Sequence, residues 1–333
     1  MYNTFQGKNV LITGGTGSFG KNFAKHLLKK TKLKKLVIFS RDEFKQHHLS
    51  KELRDSRIRF FLGDIRDQQR LHRAFQDIDI VIHAAALKQV PALEYNPHEA
   101  IKTNVIGTQN IIEAAVDQKV PRVLLVSTDK AAEPTNLYGA SKLCAEKLFV
   151  SGNTYAPKKT RFSAVRYGNV IGSRGSVVES LINNPNAKKV SLTHEDMTRF
   201  WITLEESFDL VLFALKNMEG GEIFVPKIPS MKLVDLFDAI VPNAKKEITG
   251  IRPGEKLHEA LLSSNEARCA RELKKYFVVL PESHNWSKYN PYKKYNKQGK
   301  KIDPNFIFAS NTNNKWLSTN DFKKILVKLK KQI

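Results

Sequence analysis

Short apolar runs recur along the first half of the chain, at residues 9–13, 35–39, 59–63, 80–84, 122–127 and 162–166. Each is strand-length and too short for a helix. Between them, windows at 17–30, 43–53, 68–75, 97–118 and 137–151 set apolar residues at helical spacing, with polar ones opposite. Strands that are apolar throughout and alternate with helices predict a parallel sheet covered on both faces. Six of them fit a doubly wound, Rossmann-type α/β fold. Beyond residue 166 the rhythm breaks into polar loops near 168–176 and 183–188. A helix is expected over 204–217, a strand over 222–225 and another helix over 233–241.

Composition adds little to that picture, and charge adds one question. With 333 residues and 41% hydrophobic content the chain can bury a sizeable core. Cys144 and Cys269 have neither metal-ligand spacing nor the numbers for a disulfide framework, which suits a reducing compartment. The first apolar run is strand-length, and no stretch approaches the ~18 apolar residues of a membrane helix, so a soluble, cytoplasmic protein is expected. The formal charge is +22, which could serve nucleic acid, an anionic membrane or an anionic small substrate. Residues 288–333 carry twelve lysines against Asp303 and Asp321, whereas basic and acidic residues interleave elsewhere. That distribution reads as a solvated surface rather than a nucleic-acid patch. In the final stretch Phe322, Ile325, Leu326 and Leu329 fall at helical spacing, as in a helix docked on the protein rather than a membrane anchor.

Chemistry enters at the first strand-to-helix turn, Thr13-Gly14-Gly15-Thr16-Gly17-Ser18-Phe19-Gly20. Glycines there let backbone N–H groups approach a pyrophosphate at the helix N-terminus, as dinucleotide sites require. The second strand ends in Ser40-Arg41-Asp42, with Lys45 close behind. Ser40, Arg41 and Lys45 offer partners to a 2′-phosphate, so NADP is expected over NAD, although Asp42 keeps the second option open. Asp64, followed by Ile65, ends the third strand where it can accept from an adenine amino group. Ala84 and Ala85 let the cofactor lie against the fourth. His83 is read as structural and His47-His48 as an exposed helix pair, so no metal is expected.

The segment 126–142 names a reaction type. Tyr138 and Lys142 stand one helical turn apart, where the Lys142 ammonium can favour the Tyr138 phenolate as a base, and Thr128 can hold the substrate oxygen. These three suffice to oxidise a secondary alcohol against a nicotinamide. Asp129 and Lys130 are an additional acid and base, suited to proton abstraction beside the new ketone and loss of a leaving group. The alternative is a plain surface ion pair. Downstream, the glycine-rich loop from Arg166 through Asn169 to Ser176, the Arg199-Phe200-Trp201 segment, and Arg252 with Glu255 together suit an anionic, diphosphate-bearing substrate. The expected organisation is a dinucleotide-binding domain over 1–168, joined by returning segments near 198–226. A smaller interwoven substrate-binding portion is formed by 169–197 and 227–333.

These motifs, with His83-Ala-Ala-Ala-Leu-Lys88, Phe224-Val-Pro-Lys-Ile-Pro-Ser-Met231 and Ile251-Arg-Pro-Gly-Glu-Lys-Leu-His258, resemble the extended short-chain dehydrogenases/reductases. Within them they are similar to the inverting, 5-epimerising UDP-N-acetylglucosamine 4,6-dehydratases. The resemblance implies that Lys130 is the C5 base, Asp129 the acid at the C6 hydroxyl, Thr128 and Tyr138 the ligands of the C4 oxygen, and Lys142 a ribose-binding lysine. It also implies substrate contacts from Lys88, Asn169, Arg199, Arg252 and Glu255. For Lys130 to act, its amine is expected to be neutral, deprotonated by nearby positive charge and desolvation. Family members often carry a basic residue where this chain has Gln89. The resemblance further implies a homo-oligomer, dimeric or hexameric, and a product used for flagellin or surface-glycan sugars such as pseudaminic acid. A 4-epimerase, needing only Tyr138, Lys142 and Thr128, and a non-catalytic NADP-binding sensor are the rival readings.

Overall fold

The computed structural model describes residues 1–156, 159–282 and 291–330. Lys288 and Lys331 of the basic C-terminal region, noted above, lie outside them. All six expected strands form: β1 (Asn9–Thr13), β2 (Lys35–Ser40), β3 (Ile58–Leu62), β4 (Ile80–His83), β5 (Arg122–Val126) and β6 (Arg161–Val165). They pair in parallel in the order β3-β2-β1-β4-β5-β6. Their apolar runs are explained by this placement, since Val10, Leu11, Ile12, Val81 and Ile82 are covered from both faces and have no exposure. The order reverses between β1 and β4, and the carboxyl ends of the strands there open a crevice for ligands.

The helices are α1 (Ser18–Lys30), α2 (Glu43–Glu52), α3 (Gln68–Ala74), α4 (Val90–Tyr95), α5 (Pro97–Ala100), α6 (Gly107–Asp117) and α7 (Leu137–Gly152). Asp42, Asp67 and Asn136 cap α2, α3 and α7, each accepting from the backbone N–H three residues on. The single helix expected over 97–118 is interrupted. Between α5 and α6 the turn Ile101–Ile106 is π-helical, which turns Asn104 inward to bond the backbone N–H and C=O of Leu87 and the Ser141 hydroxyl.

The strand Ile223–Pro226 extends the sheet in parallel beside β6, and Tyr276–Val279, Ala270–Glu272 and Lys300–Lys301 then add antiparallel strands. These last strands fall inside the stretch 227–333 assigned above to the substrate portion. They are short and loop-flanked, and they cover an edge that would otherwise be bare. A second apolar cluster, outside the sheet, gathers Trp201, Met231, Leu236 and Phe237 with Phe322 and Leu326 of the helix Thr319–Lys330. That helix is therefore docked, with Phe322 meeting Trp201 edge-on at 5.9 Å between centroids. No helix among the described residues is long and apolar enough to cross a membrane.

Candidate active site

The crevice deepens into a cavity of about 1090 Å³. Its cofactor end is the β1–α1 turn, where Gly14 adopts φ +65° and a Cβ on it would come within 2.8 Å of the Ala85 backbone. The turn and the β4 loop are thus packed backbone to backbone, leaving Gly14, Gly17, Ser18, Phe19, Gly20 and Ala84 to line the cavity at the N-terminus of α1. Thr16 lies in the turn itself. Thr13 is buried behind it, its hydroxyl bonded to His83 Nδ1 at 2.7 Å and accepting the Ala85 N–H at 3.3 Å. The residues expected around the adenosine lie beyond the lining of this cavity: Ser40, Arg41 and Asp42 at the end of β2, Lys45 in the first turn of α2, and Asp64 and Ile65 just after β3. There the Asp42 carboxylate is committed to the α2 cap and to Lys45. Arg41 lies 3.6 Å from Asp64, which is also held by Arg66. Ser40 Oγ accepts from Gln46, and Ile65 is buried against Gly107.

His83 is structural, as the sequence suggested. Its ring is buried between Thr13 and Thr108, and burial pushes its pKa down to about 3. Between about 6.5 and about 3 the unfolded chain binds a proton that the folded chain refuses, so stability falls as pH drops through that window. At about pH 4.5 the cost is on the order of 2–3 kcal/mol. His83→Asn is expected to remove that part of the acid sensitivity, read as a smaller difference in urea-unfolding free energy between neutral and acid buffer.

At the end of β5 the chain passes Thr128 and makes one 3-10 turn, Asp129–Ala131, before α7 begins. Tyr138 and Lys142 occupy the start of α7. Gly139 brings that helix hard against the turn, since a Cβ there would run into the Lys130 carbonyl oxygen. Thr128, Lys130, Tyr138 and Lys142 therefore share one wall of the cavity. Asp129 lies directly behind them with 1% side-chain exposure, its Oδ1 accepting from the Thr128 hydroxyl at 3.0 Å and from Lys130 Nζ at 3.1 Å. This is an ion pair, but a buried one.

The electrostatics overturn two expectations. Lys130 was expected to be neutral, deprotonated by nearby positive charge and desolvation; instead Glu259 Oε1 stands 3.1 Å from its amine, as does Asp129 Oδ1. Burial pushes the Lys130 pKa down, but the two carboxylates outweigh it and hold the amine protonated, above the ordinary lysine value. Asp129 shifts the other way, its burial favouring the neutral acid despite Lys130. Nor is Lys142 the group that most eases Tyr138 ionisation. Burial raises the phenol, and the chief opposing influences are the Lys130 charge and a side-chain contact with the Thr128 hydroxyl. Lys142 donates instead to the Val126 carbonyl at 3.0 Å, and its burial lowers it to about 8.

All six expected substrate residues, Lys88, Asn169, Ser176, Arg199, Arg252 and Glu255, line the same cavity. Several are already partnered. Lys88 Nζ donates to the Arg174 carbonyl at 3.0 Å, and Ser176 caps the helix Val177–Asn183. Arg199 is buried and donates to the Leu257 and Lys256 carbonyls, so it shapes the 255–259 segment from beneath. Arg166, grouped above with the diphosphate loop, faces away. It is wholly buried and paired with Glu146 and Glu266. Glu259 went unnoticed in the sequence, although it directly follows the 251–258 motif.

Comparisons with known proteins agree with this geometry. The chain is 47% identical to the UDP-N-acetylglucosamine 4,6-dehydratase (inverting) of Campylobacter jejuni, over 97% of this chain and 98% of the relative. It is 39% identical to a protein of Rickettsia rickettsii named UDP-glucose 4-epimerase, over 98% and 97% of the two chains. Among solved structures, Pen from Bacillus thuringiensis superposes with a TM-score of 0.88 at 38% identity, covering 98% of this chain and 99% of its own. The polysaccharide biosynthesis protein family matches residues 10–281, and with these relatives it places the chain: it belongs to that family, among the extended short-chain dehydrogenases/reductases.

Proposed function

We propose that the chain is a UDP-N-acetylglucosamine 4,6-dehydratase that inverts C5, a lyase of nucleotide-sugar metabolism. One observation carries the reading: the Asp129–Lys130 pair is held against the wall that bears Thr128 and Tyr138. Alcohol oxidation alone has no use for such a pair, whereas breaking C5–H and C6–O needs both an acid and a base.

The glycine turn, the small residues after β4 and the cradle at the α1 N-terminus fit a nicotinamide dinucleotide. Such a cofactor, when bound, takes hydride from C4 and returns it to C6. Tyr138 removes the C4 hydroxyl proton, with Thr128 holding the oxygen. The resulting ketone acidifies C5–H, which Lys130 abstracts while Asp129 protonates the departing C6 hydroxyl. Inversion follows when C5 regains a proton from the face opposite Lys130, giving UDP-2-acetamido-2,6-dideoxy-β-L-arabino-hexos-4-ulose. NADP is favoured over NAD because Asp42, the acid that would repel a 2′-phosphate, is committed to the α2 cap while Arg41 is exposed beside it. A cytoplasmic homo-oligomer making precursors of surface-glycan or flagellin sugars, such as pseudaminic acid, is the setting this activity suits.

The name of the Rickettsia relatives makes 4-epimerisation the second reading. Mass spectrometry separates the two. With UDP-N-acetylglucosamine and NADP the purified protein is expected to yield a product lighter by one water, carrying one deuterium at C5 when made in heavy water. A product of unchanged mass would establish the epimerase instead.

A further inference from the structure

Glu259 has no part in the reaction as written above, yet it stands in the middle of the site. We infer that it is a positioning residue of the acid–base pair. It clamps Lys130 between two carboxylates, so that one proton moving along the Lys130–Asp129 hydrogen bond converts a resting ion pair into the acid and the base that elimination needs. The inference rests on the dehydratase reading.

The two carboxylate contacts of the amine are equal in length, and Glu259 Oε1 also lies 3.9 Å from Arg199 Nε. Lys130 Nζ lies 3.1 Å from Asp129 Oδ1 and 3.1 Å from Glu259 Oε1. Each carboxylate keeps its second oxygen, Asp129 Oδ2 and Glu259 Oε2, buried and without a protein partner among the described residues. Glu259 is fixed from behind: its N–H donates to Ser310 Oγ at 3.0 Å and its carbonyl accepts the Ser310 N–H at 2.8 Å. It lines the cavity beside Lys130, whereas Asp129 does not. Lys130 retains 24% side-chain exposure with Glu259 beside it, whereas Glu259 itself has 3%.

The proton count closes on itself. In the resting pair Lys130 is an ammonium and Asp129 a carboxylate, which is the wrong way round for chemistry. Breaking one Lys130 N–H bond and forming an Asp129 O–H bond gives a neutral amine and a carboxylic acid without exchange with solvent. Lys130 then takes the C5 proton, and the C5–H electron pair becomes the C5–C6 double bond. The C6–O bond breaks, and the hydroxyl leaves as water with the proton of Asp129. The pair ends as ammonium and carboxylate, its resting state. Throughout, Glu259 remains an anion beside the amine, favouring the ammonium that C5 abstraction creates.

Besides the two carboxylates, the groups around Lys130 are Tyr138 on α7, Arg199 and Lys256. Glu259 raises the pH at which the pair gives up its shared proton to solvent. Glu259→Gln keeps the shape and removes the charge. It is expected to move the alkaline limb of the dehydration pH profile down by about 1–3 pH units. It is also expected to lower kcat about tenfold or more, with KM little changed and nicotinamide reduction in the first turnover retained. Glu259→Asp is expected to show a smaller displacement of the limb. A purely structural role would depress kcat without moving the limb. An unmoved limb in Glu259→Gln, or in Glu259→Asp should the first variant not fold, overturns the inference. Wild-type protein that removes no water from the sugar would instead sink the dehydratase reading itself.

Discussion

Replacing Lys130 by Ala is expected to stop loss of water while leaving the cofactor bound and C4 oxidation in place. The two halves of the reaction use different atoms. Tyr138 and Thr128 handle the C4 oxygen and keep their geometry when the Lys130 side chain is cut back, because what joins α7 to the turn is the Lys130 carbonyl, not its amine. Loss of a general base lowers a rate by roughly 10²- to 10⁴-fold, so the dehydrated product should nearly vanish. Nicotinamide absorbance in a single turnover, followed beside mass spectrometry of the sugar nucleotide, checks both halves. Some slowing of oxidation is also expected, since the Lys130 charge eases Tyr138 ionisation. Dehydration at the wild-type rate would remove Lys130 from its role.

The second large effect falls on stability. Arg166 has no side-chain exposure and binds Glu146 on α7 and Glu266, with a further bond to the Leu261 carbonyl at 3.1 Å. Arg166→Leu would leave the buried Glu146 and the part-buried Glu266 without their cation, a loss of about 3–5 kcal/mol. The urea midpoint should fall accordingly, and adding Glu146→Gln should recover part of it, because one of the stranded charges is then gone. An unchanged midpoint in Arg166→Leu would mean that the network contributes nothing. Glu146 also lies one helical turn beyond Lys142 and favours its protonated form, so the cluster bears on the site as well as on the fold.

The parallel half of the sheet was legible because a strand buried on both faces must be apolar throughout, and β1, β2, β4 and β5 read that way. The cavity residues were legible for a related reason: strand ends and helix starts concentrate function, and Thr128 to Lys142 lie on one such junction. What escaped notice depends on contacts between distant parts of the chain. The π-helical turn at Ile101–Ile106 adds no local signal, since its effect is to aim Asn104 at Leu87 and Ser141. The short strands Ala270–Glu272 and Tyr276–Val279 gain their identity from the edge they cover. The charge state of Lys130 was misjudged because its second anion, Glu259, arrives from a segment distant in sequence, and sequence spacing says nothing of that meeting.

The absence of a side chain at Gly139 has a consequence for what happens between the two half-reactions. With the tyrosine helix and the acid–base turn in backbone contact, Tyr138 and Lys130 open onto one cavity, with Asp129 directly behind Lys130. The sugar need not shift or reorient after it becomes a ketone. An intermediate prone to stray enolisation in water is thus used where it is made, and the enzyme releases a single finished compound rather than a mixture.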